Sequence, residues 1–316
     1  MSFSSTIKEE LSKHIGNARH CKIAEIAAII NMCGQMEFNE LQNRYGIMVH
    51  TENPAVARKY FTLLRKTFNI NVEVATKKGR QLKKKRIYEV YVLKKEDVYK
   101  VLSACHLLKD GEAHYQLDPL LVGSTCCKRA YIRGAFLAAG SMSDPAKTYH
   151  LEIADIHEEH SEHLRQLIEQ FELDAKIILR KKYFVIYLKE GTQIVDFLNI
   201  IEAHIALMEL ENLRILKEMR NNVNRIVNCE TANLSKTVSA AVKQVSDIEY
   251  IRDTVGLNTL IEPLEELALL RLEQSEASLK ELGEMLSIPV GKSGVNHRLR
   301  RISQYAQQLR DQRRDE

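Results

Sequence analysis

The chain has 316 residues, of which 45% are apolar and 28% charged, so it can bury the cores of two or three domains and is not intrinsically disordered. No apolar run approaches the roughly 20 residues that a membrane span requires, and the opening residues do not have the pattern of a secretory signal, so we expect a cytoplasmic protein. The formal net charge of +4 does not by itself favour any class of partner.

The first two thirds of the chain repeat one pattern of predicted elements. An apolar helix covers residues 23–34 in the first copy and 128–140 in the second, and each ends at a glycine, Gly34 or Gly140. In both copies two strands, an amphipathic helix, two further strands and a closing helix follow. The order αββαββα, found twice, predicts an internal duplication with halves at about 21–110 and 119–215.

Small residues recur one turn apart in the two lead helices, at Ala24 and Ala28 in the first and at Ala130 and Gly134 in the second. Because small side chains let two backbones approach closely, we expect these helices to pack against each other across a pseudo-dyad. Periodicity alone is equally compatible with two separate alanine-rich core helices.

Basic residues are concentrated in two runs. The run from Lys77 to Arg86 holds seven basic residues in ten and no acid, and the run from Met285 to Arg310 holds five basic residues and no acid. Separate basic patches on a nearly neutral chain are typical of surfaces that contact phosphates. Either run taken alone is also compatible with a solvated face that binds nothing.

The repeated pattern resembles the LAGLIDADG homing-endonuclease fold over about Cys21 to Glu211. The resemblance implies two halves that form a saddle of antiparallel strands lying on DNA, with an acidic residue before each glycine holding a divalent metal that activates water. The corresponding positions here are Cys33 and Ala139. Alanine has no ligand atom and a thiol is a poor ligand for Mg²⁺, so we predict a catalytically silent domain with no catalytic residues, no bound metal and no cofactor.

Other side chains near the two glycines do not restore a metal site. Asn31 and Leu137, two positions before the missing acids, are not carboxylates. The acids Glu37 and Asp144 lie beyond the glycines, away from the predicted helix ends. We therefore predict that the protein is not a metal-dependent nuclease.

The cysteines form no C-x-x-C pair and do not cluster along the chain with histidines at the spacing of a zinc site. We expect reduced thiols. The adjacent Cys126 and Cys127 are a candidate redox pair, although neighbouring cysteines in a turn before a helix are more often without a function.

A polar stretch, Lys217 to Gln244, follows the second copy. Its segment RNNVNRIVN is typical of a linker between domains and offers Arg220, Asn221, Asn224 and Arg225 as phosphate contacts. An ordinary linker without DNA contact is equally compatible with this composition.

Two domains are predicted on this basis. Residues 1–221 form the LAGLIDADG-like domain, and residues 222–316 form a helical DNA-binding domain. From Leu264 onwards every predicted element is a helix, and residues 276–309 have the pattern of a helix-turn-helix. The turn SIPVGKS is longer than the three or four residues of the standard motif.

The first helix of the predicted helix-turn-helix begins with a capping box formed by Ser278 and Glu281, and Gly283 allows the second helix to approach. The inward-facing residues of this first helix are predicted to be Leu279, Leu282, Met285 and Leu286. Ser293 is predicted to cap the second helix. The predicted buried stripe of the second helix consists of Val295, Leu299 and Ile302.

The opposite side of the second helix carries side chains that read base edges or bind phosphates. The predicted DNA-binding residues are Lys292, Ser293, Asn296, His297, Arg298, Arg300, Arg301 and Gln304. The N-terminal half of such a helix enters the major groove, which favours base contacts from Ser293, Asn296, His297 and Arg300. A basic, soluble face without a ligand is the alternative.

Secondary, non-specific phosphate contacts are predicted from the basic loops and from the polar stretch. These residues are Lys77, Lys78, Arg80, Lys83, Lys84, Lys85, Arg86, Arg220 and Arg225, together with Arg180 to Lys182.

Four stretches taken together closely resemble the WhiA family of bacterial regulators. They are MSFSSTIKEEL, CCKRAYIRGAFLAAGS, MRNNVNRIVNCETANLSKT and LKELGEML with GKSGVNHRLRRI, and the resemblance covers essentially the whole chain. It implies an α+β chain in which a duplicated αββαββα LAGLIDADG-like saddle precedes an all-α helix-turn-helix domain.

The resemblance also implies a function. Members of the family bind double-stranded DNA as transcription regulators, with roles in sporulation, cell division and chromosome segregation. It implies association with the nucleoid, no membrane partner, and RNA polymerase, a sigma factor or a division-associated protein as candidate partners. The alternative is a protein-interaction scaffold whose saddle binds a division or transcription protein, with DNA contact secondary.

Overall fold

The computed structural model describes residues 2–39, 43–78 and 86–313, apart from the side chain of residue 78. The chain forms two compact units, Met1–Lys217 and Glu218–Glu316, and one long helix runs from the first into the second. The predicted domain boundary between residues 221 and 222 lies on that same helix and stays a prediction. None of the helices that the structure describes combines the length and the apolar character needed to cross a bilayer.

The first unit begins with a helix that sequence reasoning missed, α1 (Phe3–Lys13). Its two fully buried residues, Ile7 and Leu11, are four positions apart and therefore lie on one face. The hydroxyl of Ser4 donates to the carbonyl of Met142 over 2.7 Å and accepts from its backbone N–H over 2.6 Å. These long-range contacts fix α1 against the second copy of the repeat.

The predicted duplication is confirmed, with one difference in the closing helix of the second copy. The first copy consists of α2 (Arg19–Cys33), β1 (Gly34–Asn39), β2 (Arg44–Thr51), α3 (Pro54–Phe68), β3 (Glu73–Lys78), β4 (Arg86–Val92) and α4 (Lys95–Ala104). A short hairpin, β5 (Leu108–Lys109) and β6 (Glu112–Ala113), follows it. The second copy consists of α5 (Thr125–Ala139), β7 (Gly140–Met142), β8 (Leu151–Asp155), α6 (Glu158–Glu169), β9 (Lys176–Arg180), β10 (Tyr183–Leu188) and α7 (Gly191–Ile200).

Both copies build the same antiparallel sheet. The strand order is β1-β2-β4-β3 in the first copy and β7-β8-β10-β9 in the second. Each lead helix ends immediately before the predicted glycine, and that glycine begins the first strand, where Gly34 pairs with Val49 and Gly140 with Ile153. A Cβ at Gly140 would lie 2.3 Å from the Phe136 ring, so the sharp change from helix to strand requires glycine there.

The two lead helices pack directly against each other, as their small residues predicted. A Cβ placed on Gly134 of α5 would lie 2.6 Å from the Glu25 carbonyl oxygen of α2 and 2.8 Å from the Ala28 Cβ. Only a residue without a side chain permits this approach. Both helices are buried over most of their surface, which is why neither shows a strong amphipathic pattern in sequence.

A buried ionic network lies beside this helix pair. The Glu25 carboxylate contacts the Lys59 ammonium at 2.5 Å and Nε of Arg133 at 3.3 Å, and all three side chains are almost fully buried. Lys59 also donates to the Leu11 carbonyl over 2.8 Å, and Arg133 reaches Glu202 over 2.7 Å. Since both cations have hydrogen-bonded acceptors, their burial is compensated.

The end of the second copy differs from the prediction in two respects. The single closing helix expected over residues 191–208 is divided, because α7 ends at Ile200 and Glu202 adopts a left-handed conformation with φ of 66°. The polar stretch expected to be a linker is instead part of α8 (His204–Thr254), a continuous helix of 51 residues. This segment contains neither glycine nor proline, so nothing in it stops a helix.

The second unit consists of the later part of α8, a 3₁₀ turn at Leu257–Thr259 and three helices, α9 (Glu262–Glu273), α10 (Leu279–Met285) and α11 (Lys292–Gln312). Its apolar core draws on all four helices through residues including Ile248, Ile251, Leu264, Leu267, Leu282, Leu286, Val295, Leu299 and Ile302. The buried Arg271 donates to Gln244 and to the Ala277 carbonyl, and so ties α9 to α8 and to the segment before α10.

Candidate nucleic-acid interface

The helix α10 begins with the predicted capping box. The backbone N–H of Ser278 donates to the Glu281 carboxylate over 2.7 Å, and the N–H of Glu281 donates to the Ser278 hydroxyl over 3.3 Å. Two backbone donors that a helix start leaves unpaired are thereby satisfied, which stabilises a helix of only two turns.

The turn between α10 and α11 folds back onto α10 at Gly283. The N–H of Val290 donates to the Gly283 carbonyl over 3.1 Å. A Cβ at position 283 would lie 2.1 Å from the Val290 carbonyl oxygen and 3.1 Å from the Val295 side chain. The N–H of Ser287 donates to Glu266 of α9 over 2.6 Å. The six-residue turn is therefore held at both ends, and Gly283 is required for its approach.

Two details of the predicted motif are wrong. Met285 was expected to face inward, but its side chain is 52% exposed because α10 ends at this residue and the chain turns away. Ser293 was expected to cap the second helix, but α11 already begins at Lys292, with Gly291 at the capping position and no side-chain cap. Ser293 lies instead in the first turn of α11, with its side chain exposed.

The buried stripe of α11 is confirmed, since Val295, Leu299 and Ile302 are all at most 1% exposed. The predicted DNA-binding residues lie on its remaining surface. Lys292, Ser293, His297, Arg300, Arg301 and Gln304 are exposed, and Asn296 and Arg298 are half-buried. The stripe thus fixes which side of the helix is presented to solvent.

Among the described residues, no carboxylate pairs with the three exposed cations on this face, whereas the half-buried Arg298 interacts electrostatically with Glu266 of α9. In the part of the chain that the structure describes, Lys292, Arg300 and Arg301 form no ion pair and no side-chain hydrogen bond. The fifth cation of the basic run, Arg310, behaves differently. It pairs with the buried Asp247 of α8 at 2.7 Å and lies over the Tyr250 ring, so it anchors α11 to the unit.

The two positions predicted to correspond to the metal-binding acids of LAGLIDADG enzymes lie together in the first unit. Cys33 ends α2, Ala139 ends α5, and both line one surface pocket, which also receives Lys8 from α1. Burial lowers the pKa of the Lys8 ammonium to about 8, while burial raises the pKa of the Cys33 thiol to about 12. The thiol donates to the Ile29 carbonyl over 3.3 Å. The two helix ends therefore carry a protonated thiol and a methyl group in place of carboxylates, and Lys8 adds an ammonium beside them.

Comparison with known proteins identifies the family. Three family models match the chain: the WhiA N-terminal LAGLIDADG-like domain over residues 19–108, the WhiA LAGLIDADG-like domain over 128–220, and the WhiA C-terminal HTH domain over 223–306. A Lachnoclostridium phytofermentans protein named probable cell division protein WhiA is 53% identical over 313 residues, which cover 98% of this chain and 100% of that protein. The chain belongs to the WhiA family.

Other WhiA proteins agree with this assignment over the same length. A Clostridium perfringens protein with the same name is 51% identical over 314 residues, covering 98% of this chain and 99% of that one. The crystal structure of a full-length WhiA from Thermotoga maritima is 28% identical, with a TM-score of 0.62, and covers 98% of this chain and 99% of its own. The predicted family and fold class are both confirmed.

The predicted secondary phosphate contacts fall into three groups. Arg80, Lys83, Lys84 and Lys85 lie outside the described residues, as does the side chain of Lys78. Lys77 is exposed but pairs with Glu89 at 2.8 Å, which raises the pKa of Lys77.

The remaining members of the set are exposed. Arg86 begins β4, and Arg220 and Arg225 lie on α8 rather than on a linker, with Asn221 and Asn224 exposed on the same helix. In the second WhiA repeat, Arg180 pairs with Glu152 at 3.3 Å. The adjacent turn places Lys181 and Lys182 between β9 and β10.

The acids considered in sequence occupy other places than the pocket. Glu37 on β1 is exposed and pairs with Arg44 at 3.6 Å, and Asp144 accepts from the Ala146 N–H in the turn after β7. The carboxylates that do line the pocket are Glu9 and Glu52, which sequence reasoning missed. Glu9 lies on α1. To find Glu9 from the sequence, one would have to predict both that helix and its position beside the lead helices.

Asn31 and Leu137 are part of the interior. Leu137 is fully buried, and the amide of Asn31 donates to the Tyr131 hydroxyl over 2.8 Å. That hydroxyl is 2.7 Å from Nε2 of His160, whose Nδ1 is 2.5 Å from the Asp155 carboxylate. This buried chain of polar groups joins the two WhiA repeats, so Asn31 has a structural role.

Proposed function

We propose that the chain is a sequence-specific, DNA-binding regulator of transcription that acts in cell division and chromosome segregation and, in a sporulating host, in sporulation. The observation that carries this proposal is the face of α11. Its exposed cations lack acidic partners in the described part of the chain, and its position is fixed by a capping box and a glycine turn. Relatives named probable cell division protein WhiA support the cellular role.

The proposed roles on α11 follow from chemistry and position. Residues in the first two turns enter a major groove, where a guanidinium can bind guanine through two hydrogen bonds and an amide can bind adenine in the same way. We assign Ser293, Asn296, His297 and Arg300 to base edges. Lys292, Arg298 and Arg301 are assigned to phosphates, with Gln304 at the edge of the contact.

The test compares two arginine variants with a control on the same helix. DNA sequences that bind the full chain are first selected from a random pool. Arg300→Ala should then weaken binding to the selected sequence by about 1–3 kcal/mol and relax the preference at one base pair. Arg301→Ala should weaken selected and random DNA alike, and the exposed Gln308→Ala should change neither. Equal losses on both kinds of DNA for Arg300→Ala would refute the assignment.

The secondary contacts are tested by salt dependence. Each lost phosphate contact lowers the slope of log K against log salt by roughly 0.9 on double-stranded DNA. The triple variant Lys83→Ala, Lys84→Ala and Lys85→Ala should flatten this slope and leave base preference unchanged. The double variant Arg220→Ala with Arg225→Ala should have the same effect. An unchanged slope would remove these residues from the interface.

The same proposal includes the absence of nuclease activity. Two-metal hydrolysis requires oxygen ligands that hold the cation between attacking and leaving groups. In the pocket at the ends of α2 and α5, those helix ends carry Cys33 and Ala139, with Lys8 beside them. The carboxylates of the pocket, Glu9 and Glu52, come from other elements. Incubation of the full chain with supercoiled plasmid and Mg²⁺ or Mn²⁺ should leave the plasmid intact. Cleavage that disappears when Glu9, Glu52, Glu37 or Asp144 is replaced by alanine would contradict the proposal.

A second candidate function is a protein-interaction scaffold, and the surface of α8 favours it. Apolar side chains spaced three or four residues apart are exposed on the part of this helix that belongs to the second unit, at Met219, Val223 and Ile226. A sigma factor, RNA polymerase or a division-associated protein is the kind of partner that such a surface suits. The two functions are separated by a triple variant with alanine at Lys292, Arg300 and Arg301.

A DNA-binding regulator carrying the triple variant should leave the nucleoid and fail to complement a deletion strain. A scaffold would complement the deletion in spite of lost DNA binding. Fluorescence microscopy of a tagged chain reports the first property, and division phenotype in the deletion strain reports the second.

A further inference from the structure

The N-terminal ends of α2 and α5 bring four metal-ligating side chains together. One potential ligand atom from each of His20, Cys21, Cys126 and Cys127 lies within 4.8 Å of the other three. Nδ1 of His20 is 3.0 Å from the sulfur of Cys127 and 3.4 Å from that of Cys21. All three cysteines are free thiols. The sequence contained no metal-site spacing, because the two pairs come from distant parts of the chain.

The four residues are related by the internal repeat. The offset that aligns Gly34 with Gly140 also aligns His20 with Cys126 and Cys21 with Cys127. Each lead helix therefore contributes the same two consecutive positions, in its first turn. The cluster lies at the opposite end of the helix pair from Cys33 and Ala139, and it is independent of the pocket there.

We propose that these four residues bind one zinc ion in a tetrahedral site with three thiolates and one imidazole. Zn–S bonds of about 2.3 Å and Zn–N bonds of about 2.0 Å place nitrogen and sulfur about 3.5 Å apart, and two sulfurs about 3.8 Å apart, in a tetrahedral site. The observed His20 distances of 3.0 and 3.4 Å require shifts of only a few tenths of an ångström. Three sulfurs and one nitrogen favour zinc over hard cations such as Mg²⁺.

The surroundings suit this chemistry. Both cysteine-bearing segments lie in the first turn of a helix, where the helix dipole favours anionic ligands. A bound cation also deprotonates the thiols that coordinate it, including Cys21, whose pKa burial raises to about 12 in the metal-free chain. Binding releases the three thiol protons to solvent and leaves a site with one net negative charge. His20 and Cys126 are exposed and Cys127 is buried, so the ion has a path from solvent to an interior ligand.

The site would link the two repeats covalently through the metal. α2 and α5 belong to different copies, and they already contact each other closely at Gly134. A bound zinc ion would hold their N-terminal ends together as well. We therefore expect chelation to lower the melting temperature of the metal-loaded chain, since binding energy gained only in the folded state adds to its stability.

The experiment uses tag-free, full-length protein purified with and without added zinc and dialysed against a weak chelator. Mass spectrometry of the metals should find about one zinc per chain. Cobalt added to the metal-free chain should produce the intense visible absorption of a tetrahedral cobalt–thiolate site. Cys126→Ser and His20→Ala should each weaken binding by more than about tenfold, because even outer-shell partners of a metal are worth that much.

The matched control is Cys229→Ser, which removes an exposed thiol of α8 and should leave the zinc content unchanged. Because His20 and Cys126 are exposed, their variants should fold, and circular dichroism checks this. Absence of both zinc and a cobalt spectrum in the wild-type chain would overturn the proposal. Wild-type zinc affinity in both variants would also overturn it. So would a disulfide in the wild-type chain, seen as an intact mass lower by two hydrogens in a sample prepared with zinc and without reductant.

Discussion

Gly134→Ala tests how closely the two lead helices depend on a missing side chain. In an open helical site this substitution stabilises by about 1 kcal/mol, because alanine has the higher helix propensity. Here the new methyl would lie 2.6 Å from the Glu25 carbonyl oxygen and 2.8 Å from the Ala28 Cβ. Overpacking costs about 1–3 kcal/mol and occasionally more, and a backbone oxygen cannot rotate away. We therefore take the upper end of this range, about 3 kcal/mol, and subtract the helix-propensity gain of about 1 kcal/mol, which gives an expected net loss of about 2 kcal/mol in the free energy of unfolding.

The assay is urea denaturation followed by far-ultraviolet circular dichroism, since the chain contains no tryptophan. Gly46→Ala is the control within the same unit, because nothing lies within 4 Å of a Cβ at that position. Ala28→Gly alone should cost about 1 kcal/mol of helix propensity. The double variant Gly134→Ala with Ala28→Gly should lose less stability than the sum of the two single losses, because the contact with the Ala28 Cβ is relieved while that with the Glu25 oxygen persists. A rise in stability for Gly134→Ala similar to that of an open site would refute the close packing of α2 and α5.

Three further predictions concern stability. Lys59→Ala should lower the free energy of unfolding by about 3–5 kcal/mol in urea denaturation, because it leaves Glu25 buried without one of its partners. The control Lys13→Ala, which removes one member of an exposed ion pair, should cost less than about 1 kcal/mol. Burial lowers the pKa of Lys8 from 10.5 to about 8, so the folded chain binds this proton more weakly than the unfolded chain does. The Lys8→Met variant should therefore be more stable than the unchanged chain at pH 7, by on the order of 1–3 kcal/mol. That advantage should shrink as pH rises from about 8 to 10.5, and an advantage that grows over this range would contradict the assignment. Ser278→Ala should cost about 1 kcal/mol in the melting of the second unit through loss of the helix cap, and an unchanged melting curve would show that the cap is dispensable.

The features that could be predicted from sequence are those with a local physical signal. A helix that must end and become a strand needs glycine, so Gly34 and Gly140 marked both repeats. The capping box at Ser278 and the stripe beginning at Val295 marked the helix-turn-helix, because caps and periodicity act within a few residues. These signals were sufficient for the fold class and for the face of α11.

The features that could not be predicted depend on distant parts of the chain. α1 is short, and Lys8 and Ser4 acquire their roles only through contact with the second repeat. The exposure of Met285 depends on where α10 ends. The residue that occupies the capping position before α11 depends on how the turn folds back. The continuous α8 does not follow from composition, because a polar stretch is also typical of a linker, although the absence of glycine and proline over its length favours a helix.

The two ends of the lead-helix pair carry side chains with different chemistry. In α2 and α5 the C-terminal ends carry Cys33 and Ala139, where a thiol and a methyl group cannot hold a hard cation. The N-terminal ends carry the thiol and imidazole groups that suit a soft one. Close packing at Gly134 holds α2 and α5 side by side, so equivalent positions of the two repeats lie next to each other at both ends of the helix pair. A metal at the N-terminal ends of α2 and α5 would have a structural role, and α11 would recognise the DNA, as proposed above.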